Sequence, residues 1–291
     1  MWICKEWQDY RVLDLCNGEK LEDWNGFRLV RPDPQVIWNN KEFPDKWQQY
    51  HGRYYRSNKG GGNWDFVRKV PERWNVHFTP LNLTFNIKPM GFKHTGLFPE
   101  QAANWQWFSE LIRNAERKIN VLNLFAYTGG ATAAAAAAGA AVAHIDSSKG
   151  MVTWAKENLV SSGLADCPVR YIVDDVIKFV EREIRRGRKY DAIIMDPPSY
   201  GRGPNGEIWK IEEELFPLLE RCMQILSDKP LFFLINSYTT GLAPSVLSDL
   251  LKMTVVQKYG GTAVADEVGL PVYNSSLILP CGASGRWQSE R

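Results

Sequence analysis

A chain of 291 residues, 44% hydrophobic and 23% charged, has the make-up of one large or two modest globular domains. A net charge of +2 is too mild to announce a nucleic-acid partner from bulk charge, although a local basic surface stays open. Five cysteines without CxxC spacing argue against a zinc site or a disulfide framework and suit a reducing cytoplasm. No stretch approaches the roughly 18 apolar residues of a membrane span, and charges interrupt Met1-Trp2-Ile3-Cys4-Lys5-Glu6 too early for a secretory signal.

Residues 1–80 show no long helical periodicity. Short apolar runs such as Arg11-Val12-Leu13-Asp14-Leu15 and Phe27-Arg28-Leu29-Val30 alternate with turn signals at Asn17-Gly18, Asn25-Gly26, Pro32-Asp33-Pro34 and Gly60-Gly61-Gly62-Asn63. This pattern predicts a small β-barrel-like domain. Its many tryptophans are expected mostly in the core; exposed aromatics that stack RNA bases are the other reading. Residues 78–87 alternate as the last strand of that domain or a linking strand. A loop at 91–99 and a helix at 100–115 follow, so 81–118 joins the first domain to a second at 119–291.

From residue 119 the pattern changes. Strands are predicted at 119–125, 141–145, 169–173, 191–195 and 231–235. Helices separate them: an alanine-rich one after Gly130, then 150–161, 176–186 and 211–226. Alternation of this kind implies crossover connections and a doubly wound parallel sheet. Two further strands at 255–264 and 270–279 read as a terminal hairpin.

Open sheets of this class bind ligands at the carboxyl ends of their strands. The first strand ends in Phe125-Ala126-Tyr127-Thr128-Gly129-Gly130, where glycines either admit a ligand at the helix N-terminus or only make a tight turn. A nicotinamide site wants GxGxxG; two glycines behind bulky Phe125 and Tyr127 suit the zwitterionic end of a methyl donor better than a pyrophosphate. The second strand ends at Asp146-Ser147, where an acidic residue grips ribose hydroxyls in either class of enzyme. The third runs into Asp174-Asp175-Val176, with one aspartate expected to cap the next helix and the other to bind. The fourth ends in Asp196-Pro197-Pro198-Ser199-Tyr200. Prolines fix φ and cannot donate to a ladder, so this strand stops in a stiff turn that presents a carboxylate and preset carbonyls. Such a turn orients an acceptor amine, or it ends the strand and does nothing more.

In this order the four pieces resemble the class I S-adenosylmethionine-dependent methyltransferases. The fourth resembles the Asp-Pro-Pro-aromatic motif of enzymes that methylate nucleobases, although Ser199 separates the second proline from Tyr200. Residues 121–130 and 196–200, with Lys93-His94-Thr95-Gly96-Leu97-Phe98-Pro99-Glu100-Gln101, resemble the bacterial large-subunit ribosomal RNA methyltransferases that make 5-methylcytosine and 7-methylguanine. The resemblance covers about residues 90–280 and leaves the amino-terminal domain unmatched. It implies an α/β fold, with a seven-stranded Rossmann-like sheet closed by a C-terminal antiparallel hairpin, beside the small β-rich domain. It also implies S-adenosylmethionine as cofactor, RNA as partner and no metal. The expected cofactor contacts are Lys93, Thr95 and Gln101, in a loop that folds over the methionine end, then Phe125, Ala126, Tyr127, Thr128, Gly129, Asp146, Ser147, Asp174, Asp175, Val176 and Asp196. Asp175 is assigned to adenine because it directly precedes Val176. Asp196, Pro197, Pro198 and Tyr200 are the expected catalytic set.

Carbon-5 methylation of cytosine needs a thiolate nucleophile. The resembling 5-methylcytosine enzymes carry it just after the fifth strand, where this chain reads Asn236-Ser237-Tyr238. A nitrogen acceptor needs only positioning, here by Asp196 and the Pro197 carbonyl, with Asn236 lining the same pocket. Residues 201–210 are expected as a mobile loop. In it Arg202 and Lys210 meet phosphates and Trp209 stacks a base, or the loop is a surface connection anchored by Trp209. The resulting reading is methyl transfer to a nucleobase nitrogen of RNA. Methylation of a protein or small molecule is one alternative. A non-catalytic RNA-binding protein is another, hinted at by Asn123 where many such enzymes carry an acid.

Overall fold

The computed structural model describes residues 1–57, 61–202 and 208–290, with Arg202 described by its backbone alone. The chain divides into two compact units: Met1–Trp2 with Ala103–Val268 and Cys281–Arg291, and Ile3–Ala102 with Gly269–Pro280. The segment 81–118, read as a link, is shared between them.

A two-residue strand β1 (Trp2–Ile3) opens the chain. In the smaller unit β2 (Tyr10–Cys16), β3 (Glu19–Trp24), β4 (Phe27–Pro32), β5 (Gly52–Arg56) and β6 (Gly62–Phe66) form one sheet in that order. Asn17-Gly18 and Asn25-Gly26 make its two tight hairpins, with φ of 58° and 75°, and of 55° and 89°. Turns that match strand twist need positive φ at both positions, which Asn and Gly tolerate. Leu13, Cys16, Leu21, Val30 and Trp47 pack together as its core. The buried Asp14 carboxylate pins the segment around them, accepting the Phe43 N–H at 2.8 Å and the Trp47 indole N–H at 2.9 Å. β7 (Trp74–Phe78) and β8 (Leu83–Ile87) pair as a separate hairpin. The alternation at 78–87 is therefore not one strand: Thr79–Leu81 turns as a 3-10 helix and Asn82 sits at φ 52°. Pro80 has no N–H for a ladder. Trp7, Trp24, Trp47, Trp74 and Trp105 are buried, and Trp2, Trp38, Trp64 and Trp107 are half-buried, in line with core packing.

The larger unit takes α1 (Ala102–Arg113), β9 (Asn120–Leu124), α2 (Gly130–Ala137), β10 (Ala141–Asp146), α3 (Lys149–Ser161), β11 (Val169–Val173), α4 (Val176–Arg185) and β12 (Ala192–Met195) in turn. A ribbon of β13 (Tyr200–Arg202) and β14 (Ile208–Lys210) follows, then α5 (Ile211–Cys222), β15 (Phe232–Ser237), α6 (Pro244–Leu251), α7 (Gln257–Tyr259), β16 (Thr262–Pro271) and β17 (Ile278–Gln288). The sheet order is β1-β16-β17-β15-β12-β9-β10-β11, seven strands with β1 added at the edge. β15, β12, β9, β10 and β11 run parallel and β17 antiparallel to β15. This is the expected doubly wound sheet with a C-terminal hairpin. Leu122, Leu124, Ile193, Met195, Phe233 and Ile235 belong to the core shared with α4, α5 and α6. On the other face Phe232 stacks on Phe108 of α1, ring centroids 5.5 Å apart.

The hairpin comes later in the chain than its predicted bounds. Residues 255–261 are not strand, and only 262–264 of the predicted 255–264 belong to one: α6 continues through a π-helical turn, Lys252–Val256, into α7. Gly260 and Gly261, at φ 68° and 80°, end the helix. Thr254-Val255-Val256 has strand propensity, but Val255 is buried in the sheet core from a helix, where packing overrides propensity. Residues 201–210, expected as a loop, pair at both ends as an antiparallel ribbon, Tyr200 opposite Lys210 and Gly201 opposite Trp209. Among the described residues no helix is long and apolar enough to cross a membrane.

Candidate active site at the carboxyl ends of the parallel strands

Leu124 lies in register with Ile145 on one side and Met195 on the other, so β9, β10 and β12 end level at one edge of the sheet. The chain leaves β9 under strain. Phe125 and Tyr127 sit at φ 54° and 50°, a left-handed region that costs L residues about 1–2 kcal/mol each. Neighbouring bonds over-determine the conformation. Ala126 N–H donates to the Ile145 carbonyl at 3.0 Å, Tyr127 N–H to Asp146 Oδ2 at 2.9 Å, and Asn158 Nδ2 to the Thr128 carbonyl at 2.8 Å. Gly129, at φ 81°, precedes α2, whose first turn has no side-chain cap. The two glycines answer to protein packing. A Cβ on Gly129 would stand 2.8 Å from Ala155 Cβ, and one on Gly130 2.6 Å from the Trp105 ring. These contacts by themselves require glycine in the tight turn.

Asp146 stands at the end of β10, with Ser147 exposed beside it. Its Oδ1 accepts the Ser148 N–H at 2.8 Å while Oδ2 holds Tyr127 N–H. Burial raises its pKa, and the two backbone N–H groups oppose the rise. Each oxygen keeps a lone pair, an arrangement that matches the two hydroxyls of a vicinal diol. Asp174 N–H donates to the Asp146 carbonyl at 3.1 Å, which ties β11 to β10. Of the two aspartates it is Asp175 that caps α4, accepting the Lys178 N–H at 2.9 Å through Oδ1. Asp174 accepts the Asp175 N–H at 2.9 Å and pairs with Arg182. The expected split, with Asp175 as binder and Asp174 as cap, is therefore altered: Asp175 is the cap, and only its Oδ2 is left for an amine. The Val176 side chain is buried.

The Asp196-Pro197-Pro198 turn is braced from three sides. Asp196 N–H reaches the Leu124 carbonyl at 3.3 Å, joining β12 to the start of the β9 loop. Trp209 Nε1 donates to the Pro198 carbonyl at 2.6 Å, and its ring lies 5.2 Å from that of Phe125. Ser199 Oγ and Thr239 Oγ1 are 2.6 Å apart. Trp209 is thus the anchor of the turn and not a free stacking platform. Tyr200 is half exposed, and Lys210 pairs with Glu213 at 2.7 Å. The Arg202 side chain and residues 203–207 lie outside the described residues.

Asn236 is not available as a pocket wall. Its Oδ1 accepts Ser284 Oγ at 2.8 Å and Asn104 Nδ2 at 3.2 Å, and Arg286 Nε donates to Asn104 Oδ1 at 2.8 Å, in a buried polar cluster. Lys93, Thr95 and Gln101 belong to the smaller unit, Lys93 half-buried and the other two buried. Sequence reasoning also missed a buried chain under the β9 loop: Asn123 Nδ2 donates to Thr132 Oγ1 at 2.9 Å, and Thr132 Oγ1 lies 2.9 Å from His144 Nδ1. The available signal was polar Thr132 and His144 inside otherwise apolar runs. A cleft of about 870 Å³ opens at the opposite edge of the sheet, near Arg117, Pro230 and Gln288, and holds none of the expected site residues. Among the described residues no group of three His, Cys, Asp or Glu side chains is placed to hold a metal ion.

Comparison with known proteins agrees with this geometry. A family model described as S-adenosylmethionine-dependent methyltransferase matches residues 52–227. A crystal structure of a SAM-dependent methyltransferase from Agrobacterium tumefaciens is 34% identical, covers 99% of this chain and 93% of its own, and superposes with a TM-score of 0.93. The ribosomal RNA large subunit methyltransferase K/L of Shewanella frigidimarina is 32% identical over 55% of this chain and 21% of its own length. The corresponding K enzyme of Neisseria meningitidis serogroup B is 30% identical over 48% of this chain and 41% of its own. The match thus spans about a fifth of the first of these curated relatives and about two fifths of the second.

Proposed function

Because the chain belongs to the S-adenosylmethionine-dependent methyltransferase family, we propose that it methylates a nucleobase nitrogen of RNA, in a ribosomal RNA-like substrate in the cytoplasm. One observation carries the reading: the Asp196 turn and the β9 loop are joined directly, through Asp196 N–H to the Leu124 carbonyl and through the Phe125–Trp209 contact. An acceptor-orienting carboxylate therefore sits beside the loop that holds the donor. The side chains present fit that donor. Asp146 offers one open lone pair on each oxygen to the ribose hydroxyls, and Asp175 Oδ2 with the Val176 N–H suits the adenine edge. Phe125 to Gly129, with the uncapped start of α2, take the methionine end.

When bound, S-adenosylmethionine supplies a methyl group on a positively charged sulfur. The rest is positioning, which contributes much of the rate in such displacements. Asp196 and the Pro197 carbonyl accept the hydrogens of the target amine and aim its lone pair at the methyl carbon. Asp196 then receives the proton that methylation releases. A carbon-5 mechanism finds no thiolate where the resembling enzymes carry it: Tyr238 and Thr239, not a cysteine, come directly after β15, and Cys222 lies fully buried in α5, where desolvation pushes its pKa far up. The alignments with ribosomal RNA methyltransferases support RNA as the substrate class.

The test is transfer of labelled methyl groups into unmodified RNA transcripts, with protein and metabolite fractions alongside. Label in RNA, on a base nitrogen, is expected. Label confined to protein or small molecules overturns the substrate. Asp196→Ala should abolish transfer and keep the fold and much of the donor binding; near-normal turnover in that variant would sink the role of Asp196.

A further inference from the structure

Cations gather at the amino-terminal edge of the large sheet, at the far end of its strands from Asp146 and Asp196. α4 runs out there in Arg185-Arg186-Gly187-Arg188-Lys189. Basic residues at the carboxyl end of a helix ordinarily answer its unpaired carbonyls and its dipole. Here the backbone closes the helix by itself. Gly187, at φ 63°, donates its N–H to the Ile184 carbonyl at 3.0 Å, and Arg188 N–H donates to the Glu183 carbonyl at 3.1 Å. The side chains of Arg188 and Lys189 stand beyond this cap, so the helix end does not account for them. The neighbouring carboxylates are committed elsewhere. Glu183 pairs with Arg186 at 3.0 Å and accepts Tyr190 OH at 2.6 Å, and Asp191 pairs with Arg117 at 2.7 Å.

Strand register brings a third cation to the same place. Arg170 of β11 lies opposite Ala143 of β10, and Ala143 belongs to the core that α4 covers. Side chains alternate along a strand, so Arg170 stands on the α4 face. With Arg188, Lys189, Asn120 and Tyr190 it lines one cavity of about 260 Å³, wholly within the larger unit. Among the described residues no acid lines that cavity. Arg170, Arg188 and Lys189 are exposed, and neither arginine has a carboxylate partner among the described residues. Lys189 Nζ donates to the Gln224 carbonyl at 2.7 Å, which fixes its head group and leaves two N–H to give. Both arginines act on the buried Tyr190 hydroxyl: burial and Glu183 raise its pKa, and Arg170 and Arg188 oppose the rise. Like charges around one hollow repel one another, and an oxyanion removes the repulsion through charge-assisted bonds.

The methyl donor is not that oxyanion, because its site lies at the other edge of the sheet. The cavity is also smaller than the roughly 300–1,000 Å³ of small-molecule sites, and suits one phosphate of a larger polyanion. We propose that Arg170, Arg188 and Lys189 form a second RNA contact, which holds a backbone phosphate of the substrate at the edge of the sheet opposite the active site. The assignment rests on the RNA reading above and sharpens it. β10 has six residues, so the two edges stand ~20 Å apart, and only an extended stretch of RNA reaches both. A free nucleotide cannot.

Three full-length proteins test it: wild type, Arg170→Gln with Arg188→Gln, and a control, Arg113→Gln with Lys156→Gln, which removes two exposed cations elsewhere on the larger unit. Lys189 is left in place because its bond to Gln224 is structural. RNA affinity is measured by filter binding of a labelled large-subunit ribosomal RNA transcript across a salt series, donor affinity by calorimetry, and folding by thermal midpoint. The Arg170/Arg188 variant should bind RNA at least about tenfold more weakly, with the slope of log affinity against log salt reduced by about 1.4–1.8, the loss of two phosphate contacts. Its donor affinity and melting midpoint should hold, and the control should keep nearly the wild-type slope. Unchanged RNA affinity and slope in the Arg170/Arg188 variant overturns the site. A lower midpoint with RNA binding intact returns the two arginines to the helix end and equally overturns it. A control that loses as much as the variant assigns the effect to net charge and not to this surface, which also overturns it. The wild type tests the premise separately: if it neither binds nor methylates RNA, the RNA reading itself falls, and this contact with it.

Discussion

Acid should destabilise this protein in part through His144. His144 of β10 is fully buried, with Thr132 at Nδ1 and no partner for Nε2 among the described residues. Burial holds its pKa down at about 4, against 6.5 for an exposed imidazole. The folded ring thus refuses a proton that the unfolded chain accepts. The resulting stability is fully present above pH 6.5 and drains away as pH falls to about 4, where the folded ring charges too. At about 1.4 kcal/mol per pH unit, that window is worth about 3 kcal/mol, a large share of a typical 5–15 kcal/mol. Urea midpoints from pH 7.5 down to about 4.5 for wild type and His144→Gln isolate the effect, because the carboxylates are common to both proteins. The wild-type curve should fall more steeply below pH 6.5 by roughly 1 kcal/mol per unit. Donor affinity should fall in the same window, since His144 Cε1 lies within 3.6 Å of where a Gly129 Cβ would be. Parallel stability curves would refute the assignment.

Two further outcomes test the site's construction. Gly129→Ala must hold φ 81° and place a methyl 2.8 Å from Ala155 Cβ, so it should cost about 2–4 kcal/mol. Adding Ala155→Gly should recover part of that loss in the thermal midpoint, and no recovery would show that the contact is not the cause. Trp209→Phe keeps a ring against Phe125 but loses the bond to the Pro198 carbonyl, at about 1 kcal/mol of stability. Its kcat should drop roughly tenfold with the donor KM unchanged, whereas wild-type kcat would remove the bracing role.

The parallel sheet was legible because buried strands leave a one-dimensional trace. Asp191-Ala192-Ile193-Ile194-Met195 followed by Asp196-Pro197-Pro198 states both a strand and its end. What failed depended on partners distant in sequence. Val255 and Val256 read as strand until packing and Gly260-Gly261 made them the end of a helix. Nothing near Asn236 indicates that Asn104 and Ser284 occupy its side chain. Position before Val176 pointed to Asp175 as the binder, but Lys178 makes Asp175 the cap and Arg182 pairs with Asp174, partners the sequence does not show. Gly129 and Gly130 were visible as glycines, but Ala155 and Trp105, the reasons for them, were not.

The left-handed backbone at Phe125 and Tyr127 sets stability against activity. Glycine adopts that conformation freely, so glycine at either position relaxes the strain. A variant selected only to survive heat therefore drifts toward glycine at these two positions. At 125 it would discard the ring that meets Trp209 and, through it, the turn that aims the acceptor. Directed evolution of this enzyme for heat tolerance will gain degrees here and lose turnover, unless activity is screened in the same round.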